Sequence, residues 1–275
     1  FTESLGNPKL DVVDIQEISK YSKQHNIPLM VDNTVASPAL LNPIKHGANI
    51  VIHSLTKYIN GNGTSLGGVI IDAGTFDWSS GKFPEFTEPS PAYHGLVYND
   101  ALGSASYIAK VRIEGLRDLG GSLSPYNAFQ ILQGLETLDL RMKKHSENAL
   151  QLAKWLESRD EVEWVNYPGL KSSKYFDLSK KYLPKGQSGL ITFGVKGGYK
   201  NAKIVSDKTS LFSLLANIGD TKSLIIHPAS TTHQQLSEEE QNSTGVTSDL
   251  IRLSVGIEDL DDLKEDLLNA FSSIK

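Results

Sequence analysis

The sequence has 275 residues and contains no cysteine. This absence excludes disulfide bonds, catalysis by a thiolate and zinc sites built from cysteine. It is compatible with a cytoplasmic protein, and the cytoplasm is the location that we expect. No apolar run reaches the length needed to span a bilayer, so no membrane partner is expected. We expect no metal site either.

A strong positive charge is also lacking. The formal net charge is −5, hydrophobic residues make up 39% of the chain and charged residues 21%. These values are typical of an ordinary globular protein with a sizeable core. Without a basic field there is nothing to attract nucleic acid, and we expect no nucleic-acid partner.

The first eight residues, F-T-E-S-L-G-N-P, show neither an initiator methionine nor the pattern of a signal peptide. They are typical of the end of a buried strand. We therefore expect that an N-terminal portion of the natural protein is absent from this sequence.

The first half of the chain alternates between strand and helix patterns. Repeated β–α–β units of this kind predict right-handed crossovers and a parallel sheet, the arrangement of an α/β fold. Helical patterns cover residues 11–24 and 43–47, and strand patterns cover residues 28–32, 50–53 and 67–71.

A long aromatic-rich segment, residues 73–95, separates these units from the rest and is predicted to be a packed loop. Helical periodicity follows over residues 100–119. Ser124 and Pro125 then form a strong helix start, and the helix is predicted to run to about residue 159.

The last part of the chain predicts an α+β arrangement. We place a domain boundary near residues 120–121, which divides the chain into residues 1–121 and 122–275. The predicted strands here cover residues 163–167, 190–195 and 250–255, and the predicted helices cover residues 201–209 and 260–271.

Two strand ends carry the residues with most chemical interest, because ligands of parallel α/β sheets bind at the carboxyl ends of the strands. Asp32 ends one strand, although an aspartate there is more often a helix cap. Lys57 follows another strand, and a buried lysine becomes a nucleophilic amine. Ser54 and Thr56 add hydroxyls that suit a phosphate. Taken alone, the motif is better explained by an exposed lysine in a loop with incidental hydroxyls.

Five motifs, in order along nearly the whole chain, resemble the Cys/Met-metabolism family of pyridoxal-phosphate enzymes. They are E-S-L-G-N-P at residues 3–8, V-D-N-T at 31–34, H-S-L-T-K-Y at 53–58 followed by G-N-G-T-x-x-G-G at 61–68, S-L-I-I-H-P-A-S-T-T-H at 223–233, and I-R-L-S-V-G-I-E at 251–258. A dinucleotide-binding domain is excluded, because no G-x-G-x-x-G follows a first strand.

The resemblance implies a role for several residues. Lys57 forms the Schiff base with pyridoxal 5′-phosphate, and Asp32 pairs with the pyridinium nitrogen. Ser54 and Thr56 bind the phosphate, and Asn7 lies near the ring oxygen O3′. The substrate is expected to contact Arg252, which grips its α-carboxylate, and Ser223.

The resemblance also implies a fold. It is the fold-type I architecture of pyridoxal-phosphate transferases, with a mostly parallel central sheet, helices on both faces and a smaller C-terminal α+β domain. Residues 1–121 then form the C-terminal part of the cofactor-binding large domain, and residues 122–275 form the small domain. Family members are homotetramers, so a homo-oligomer is expected.

Within the family, the long segment F-P-E-F-T-E-P-S-P-A-Y-H-G-L-V-Y-N at residues 83–99 resembles the O-acetylhomoserine sulfhydrylase branch. So do V-R-I-E-G-L-R-D-L-G at residues 111–120, L-Q-G-L-E-T-L-D-L-R at 132–141 and L-A-N-I-G-D at 215–220. This branch implies a reaction of O-acetyl-L-homoserine with sulfide to give L-homocysteine and acetate. Cystathionine γ-synthase or γ-lyase activity is the alternative.

Two departures from the branch stand out. Asn62 occupies a position where sulfhydrylases often have histidine, and asparagine does not titrate near neutral pH. The N-terminal third of the family, which supplies a phosphate loop and a ring-stacking tyrosine, has no counterpart here. An inactive fragment or a scaffold therefore remains an alternative to an enzyme.

Overall fold

The structure, a computed structural model, describes residues 1–274. Its first part is a four-stranded sheet in the order β1-β2-β3-β4, with β1, β2 and β3 parallel to one another. A 3₁₀ turn at Pro43–His46 ends at Gly47. The elements are β1 (Thr2–Glu3), α1 (Ile15–Gln24), β2 (Met30–Asp32), α2 (Ser37–Leu40), β3 (Ile50–Ser54) and β4 (Gly68–Asp72).

Local sequence explains where α1 begins. The carboxylate of Asp14 accepts a hydrogen bond from the backbone N–H of Glu17 at 3.2 Å, and this side chain caps the helix. The helix therefore starts later than the apolar periodicity from residue 11 predicts. Ile15 faces the core and is fully buried.

The strand that was predicted at residues 67–71 is present as β4, but it is antiparallel to β3. The prediction of a parallel strand at this position is wrong. A parallel pair needs a long crossover, usually a helix, whereas the segment between β3 and β4 contains none. Gly61 and Gly63, which both have positive φ, lie where this segment turns back.

The aromatic-rich segment packs against the outer part of this sheet. Ile50, Trp78, Phe86 and Tyr98 form a buried cluster. The helical periodicity over residues 100–119 corresponds to a run of short helices, which Gly103, at φ 51°, interrupts and in which a π-helical turn occupies Val111–Leu116. The helices here are α3 (Pro84–Thr87), α4 (Tyr98–Leu102), α5 (Ser106–Lys110) and α6 (Arg117–Leu119).

The rest of the chain forms the predicted α+β arrangement around a five-stranded sheet in the order β5-β6-β9-β8-β7. All its pairs are antiparallel except β7 with β8. The elements are α7 (Pro125–Glu136), α8 (Leu138–Glu157), β5 (Val162–Asn166), α9 (Phe176–Tyr182), β6 (Leu190–Val195), α10 (Gly198–Lys208), β7 (Ser213–Leu214), β8 (Leu224–Ile226), α11 (Glu238–Thr244), β9 (Leu250–Ser254) and α12 (Leu260–Phe271).

Ser124 caps α7 as predicted, since its side chain accepts from the backbone N–H of Asn127. The single helix that was predicted to run to about residue 159 is wrong, because Thr137 separates α7 from α8.

One buried apolar cluster contains residues from β2 and β3 together with Ile131 of α7, Met142 of α8 and Ile218. The two sheets therefore share part of their core. The division into residues 1–121 and 122–275 stays a prediction. Within residues 1–274, no helix combines the length and the apolarity needed to cross a membrane.

Candidate functional site

The parallel strands β2 and β3 end side by side, and Thr34 ties the two ends together. The backbone N–H of Ser54 donates to the Thr34 hydroxyl at 2.8 Å. The backbone N–H of Thr34 in turn donates to Asp32 Oδ1 at 2.9 Å. The carboxylate of Asp32 and the end of β3 are thereby fixed at the same edge of the sheet.

A depression of about 220 Å³ opens at this edge. Four of the predicted residues line it, namely Asn7, Asp32, Ser54 and Lys57. The remaining lining residues are Glu3, Leu5, Thr34, Val35 and Ile218. A larger depression of about 510 Å³, between α2 and α8, contains none of the predicted residues.

Lys57 lies in the turn after β3 and is half-buried. Its ammonium donates to Asn217 Oδ1 at 2.5 Å. Burial lowers the pKa of the Lys57 amine, and the nearby positive charge of Arg252 lowers it further. Both effects make the charged ammonium less favourable here than in water, and the neutral amine is the nucleophilic form.

Arg252 reaches the same place from β9 of the second sheet. Its Nη1 donates to Asn7 Oδ1 at 3.2 Å, and its Nη2 donates to the backbone carbonyl of Asn217 at 3.0 Å. Its Nε is buried and has no partner within residues 1–274. Burial lowers the pKa of this guanidinium to about 10, so it keeps its charge at neutral pH.

In the described part of the chain, Arg252 forms no ion pair. A buried guanidinium with one unused donor is an incomplete arrangement, because buried charges are normally paired. An added carboxylate would complete it with two parallel hydrogen bonds.

Asn217 joins these two cations, and no role for it was predicted from the sequence. It lies within residues 215–220, which resemble a branch motif, but nothing in that motif predicts a contact across 160 residues. The backbone N–H of the nearby Gly219 donates to Ser254 Oγ at 2.9 Å, which ties this segment to β9.

The structure does not bring Thr56 and Ser223 into the depression. The Thr56 hydroxyl accepts from the backbone N–H of Gly67 at 3.1 Å and donates to the carbonyl of the same residue at 3.3 Å. The Ser223 hydroxyl is fully buried, donates to Glu258 Oε2 at 2.8 Å and accepts from the backbone N–H of Gly256. Asn62 is exposed and donates to the carbonyl of Asn60 at 3.1 Å.

Within residues 1–274, no group of three or more His, Asp or Glu side chains is placed to hold a metal ion. The site therefore brings together one amine, one guanidinium, the two carboxylates of Glu3 and Asp32, and several neutral polar groups. Such a set can hold an anionic ligand and provide an amine nucleophile.

Comparison with known proteins places this geometry in context. The chain is 54% identical to an O-acetyl-L-homoserine sulfhydrylase of Leptospira meyeri, over 100% of the chain and 64% of the relative. It is 50% identical to a homocysteine synthase of Schizosaccharomyces pombe, over 98% of the chain and 64% of the relative. The chain thus spans slightly less than two thirds of the length of these relatives.

A solved structure from Campylobacter jejuni, described as an O-acetylhomoserine (thiol)-lyase, superposes with a TM-score of 0.93 and 49% identity. The match covers 98% of this chain and 65% of the other, and that protein carries an N′-pyridoxyl-lysine-5′-monophosphate residue. This likeness confirms the predicted fold-type I architecture. The family model described as Cys/Met metabolism PLP-dependent enzyme matches residues 1–272, and the chain therefore belongs to that family of pyridoxal-phosphate enzymes.

Proposed function

We propose that the chain supplies the catalytic lysine and the substrate-binding arginine of an O-acetyl-L-homoserine sulfhydrylase. In the proposed reaction, the bond from Cγ of the substrate to the acetate oxygen breaks, and sulfide then forms a bond to Cγ. The products are L-homocysteine and acetate. The observation that carries the proposal is the convergence of Lys57 and Arg252 on Asn217. The names of the relatives support the choice of substrates.

The residues at the depression fit pyridoxal 5′-phosphate. Asp32 offers a carboxylate to a protonated pyridine nitrogen, and Ser54 offers a hydroxyl that makes no hydrogen bond within residues 1–274. Lys57 offers an amine whose pKa is lowered by burial and by the charge of Arg252. When bound, the cofactor supplies an electron sink for negative charge at the carbons near the substrate amino group.

Lys57 is the proposed base as well as the residue that holds the cofactor. Its amine takes a proton from Cα of the substrate and then moves a proton at Cβ, which prepares the departure of acetate from Cγ. Asn217 Oδ1 accepts from Nζ and limits the directions in which the amine can point.

Arg252 is the proposed site for the α-carboxylate of the amino-acid substrate. Its unused Nε donor and its lack of an ion pair within residues 1–274 support this role. Asn7 accepts from Arg252 and lines the depression, so it connects the carboxylate site to the proposed position of the cofactor ring.

Two of the proposed contacts require rearrangement. Thr56 can bind the cofactor phosphate only if its hydroxyl gives up a hydrogen bond to Gly67. Ser223 can contact the substrate only if its hydroxyl leaves Glu258. We propose that Thr56 and Ser223 make these contacts after such a rearrangement.

We further propose that the protein works as a cytoplasmic homotetramer. Large apolar side chains on the outer face of α7, namely Tyr126, Phe129 and Leu132, are exposed and support an assembly that covers them. The mass of the protein in solution tests this proposal.

Product analysis tests the proposed reaction. The chain, loaded with pyridoxal 5′-phosphate, is given O-acetyl-L-homoserine with either sulfide or L-cysteine, and the products are identified by mass spectrometry. We expect homocysteine from sulfide. Lys57→Ala should lower its rate of formation by a factor on the order of 100 or more, because the base is lost, whereas Lys45→Ala, at an exposed position, should not.

Two outcomes contradict the proposal. If cystathionine or 2-oxobutyrate is the main product, the activity is that of a γ-synthase or γ-lyase. If the cofactor-loaded chain forms no product at all, the chain does not by itself have this activity.

A further inference from the structure

Arg141 of α8 is a buried cation that the proposed mechanism does not use. Its guanidinium is 7% exposed and forms no ion pair within residues 1–274. Instead, Nη1 donates to the carbonyl of Tyr58 at 2.7 Å, and Nη2 donates to the carbonyls of Ile59 at 3.2 Å and Gly134 at 2.6 Å. Two of these three carbonyls belong to the residues that directly follow Lys57.

The remaining donor of Arg141 is also engaged. Nε donates to the hydroxyl of Thr137 at 3.1 Å. Gly134 and Thr137 lie at the C-terminal end of α7, where carbonyl groups without helical partners carry partial negative charge. The guanidinium therefore bridges the end of α7 and the turn that carries Lys57.

Two glycines make this bridge possible by leaving room for it. A Cβ atom at Gly61 would lie 2.2 Å from Arg141 Nη1. A Cβ atom at Gly134 would lie 2.1 Å from the carbonyl oxygen of Asn60. Helix α7 and the guanidinium thus both pack directly against the backbone of residues 58–61.

The side chain of Tyr58 is fixed at the same time. It is fully buried, and its ring packs edge-on against His145 at a centroid distance of 5.3 Å. A Cβ atom at Gly219 would lie 2.6 Å from the backbone nitrogen of Tyr58, so the segment that carries Asn217 also lies close against this turn. Tyr58, the residue after Lys57, is therefore held by contacts of both its ring and its backbone.

We propose that Arg141 is a positioning residue for Lys57, which sets the direction of the lysine by holding the carbonyls of Tyr58 and Ile59. The inference rests on the proposed role of Lys57 as the residue that bonds to the cofactor. A lysine at position 141 keeps the positive charge but cannot donate to three carbonyls and a hydroxyl in a planar fork. The turn that carries Lys57 is then less restrained, while the buried positive charge at position 141 is retained.

The first test compares two ligands that differ only in what they require from Lys57. Pyridoxal 5′-phosphate bonds covalently to a lysine amine, whereas pyridoxamine 5′-phosphate has the same ring and phosphate but no aldehyde. For Arg141→Lys, we expect the affinity for pyridoxal phosphate to fall by a factor on the order of 10 or more, with little change for pyridoxamine phosphate. Arg159→Lys, at the far end of α8, is the matched control.

An equal loss of affinity for both ligands would show a general effect on the cofactor site and would overturn the proposal. Unchanged affinity for both ligands would overturn it as well.

The second test needs no cofactor and is therefore independent of the proposed function. The backbone N–H groups of Asn60 and Gly61 donate to the carbonyls of Leu55 and Lys57. Hydrogen–deuterium exchange of these two amides should accelerate in Arg141→Lys and stay unchanged in Arg159→Lys. Unchanged exchange in Arg141→Lys contradicts the proposal even if the chain binds no cofactor.

A milder variant covers the case in which Arg141→Lys does not fold. Thr137→Val keeps the shape of the side chain and removes the hydroxyl, which accepts from Arg141 Nε and donates to the carbonyl of Gly134 at 3.3 Å. It should accelerate the same two amides to a smaller extent. Exchange like that of the unsubstituted chain would count against the bridge.

Discussion

Lys57 and Arg252 are two cations that share one partly dehydrated site. Burial disfavours the charged form of both, so the pKa of each lies below its ordinary value. The two groups respond differently, because arginine starts from a much higher pKa and keeps its charge at neutral pH. Arg252 therefore remains a fixed positive charge that makes protonation of Lys57 less favourable.

Removing this charge should raise the pKa of Lys57. In Arg252→Met, the nearby cation is lost, so the ammonium form of Lys57 becomes more favourable and the amine titrates at higher pH. Competitive labelling of lysines with an amine reagent across a pH series, read out at the peptide that contains Lys57, measures this shift. Arg159→Met, which lies away from the depression, should leave the titration of Lys57 unchanged.

If the titration of Lys57 in Arg252→Met is unchanged or moves to lower pH, Arg252 does not lower the pKa of the Lys57 amine. In that case burial alone would account for the lowered pKa.

At this scale the sequence predicts candidate residues at strand ends, and it misses candidates whose contacts reach across the fold. Asp32, Ser54 and Lys57 could be proposed because strand ends and motif spacing are local signals. Asn217 and Arg141 were missed, since their contacts with the turn after β3 join positions far apart in the chain. Thr56 was proposed because it directly precedes Lys57 in the sequence, but its hydroxyl donates a hydrogen bond to the backbone carbonyl of Gly67 instead.

At the scale of elements, the break between α7 and α8 shows how a tertiary contact divides a helix. Apolar periodicity continues through Thr137, which is why a single helix was predicted. The carbonyl of Gly134 accepts a hydrogen bond from the Arg141 side chain and not only from within the helix. Thr137 has left the helical conformation, with ψ 5°. Periodicity reports which face is buried and carries no information about such a contact.

Gly134→Ala tests the close approach of α7 to the turn. In an exposed helix this change stabilises, since alanine is the better helix former. Here the added methyl group would lie 2.1 Å from the Asn60 carbonyl, so we expect the free energy of unfolding to fall by about 1–3 kcal/mol. Urea denaturation measures this change in the free energy of unfolding.

Gly121→Ala is the matched control, because nothing lies within 4 Å of a Cβ atom at that position. Its free energy of unfolding should change by less than about 0.5 kcal/mol. If Gly134→Ala is as stable as Gly121→Ala, the packing of α7 on residues 59–60 is looser than described.

Strands with continuous apolar runs were predicted well, but the direction of β4 was not. β6 covers the predicted residues 190–195 because every one of its side chains is buried. The direction of β4 depends instead on the length and content of the connection before it. The glycine-rich segment between β3 and β4 contains no crossover helix, and the chain therefore turns back on itself.

At the scale of the whole molecule, the candidate site lies where the two sheets meet. Asp32, Ser54 and Lys57 come from the ends of β2 and β3, whereas Arg252 comes from β9 and Asn217 from the segment between β7 and β8. Neither sheet alone positions both the amine of Lys57 and the arginine proposed to bind the substrate carboxylate. The shared apolar cluster that includes Ile218 and Met142 keeps the two parts in this relation.

This arrangement was only partly accessible from the sequence. The α/β order of the first part and the α+β character of the second were both predicted from patterns. The meeting of Arg252 with Lys57 was implied by the resemblance to the family and by no pattern of spacing, because it depends on how the two sheets pack.

We propose that Lys57 is the residue that bonds to the cofactor. Incubation of the chain with pyridoxal 5′-phosphate, reduction with borohydride and mass spectrometry of the digested protein measure this directly. We expect a pyridoxyl-phosphate group on the peptide that contains Lys57, and its loss in Lys57→Ala. Modification confined to other lysines, or no modification after reduction, would contradict it.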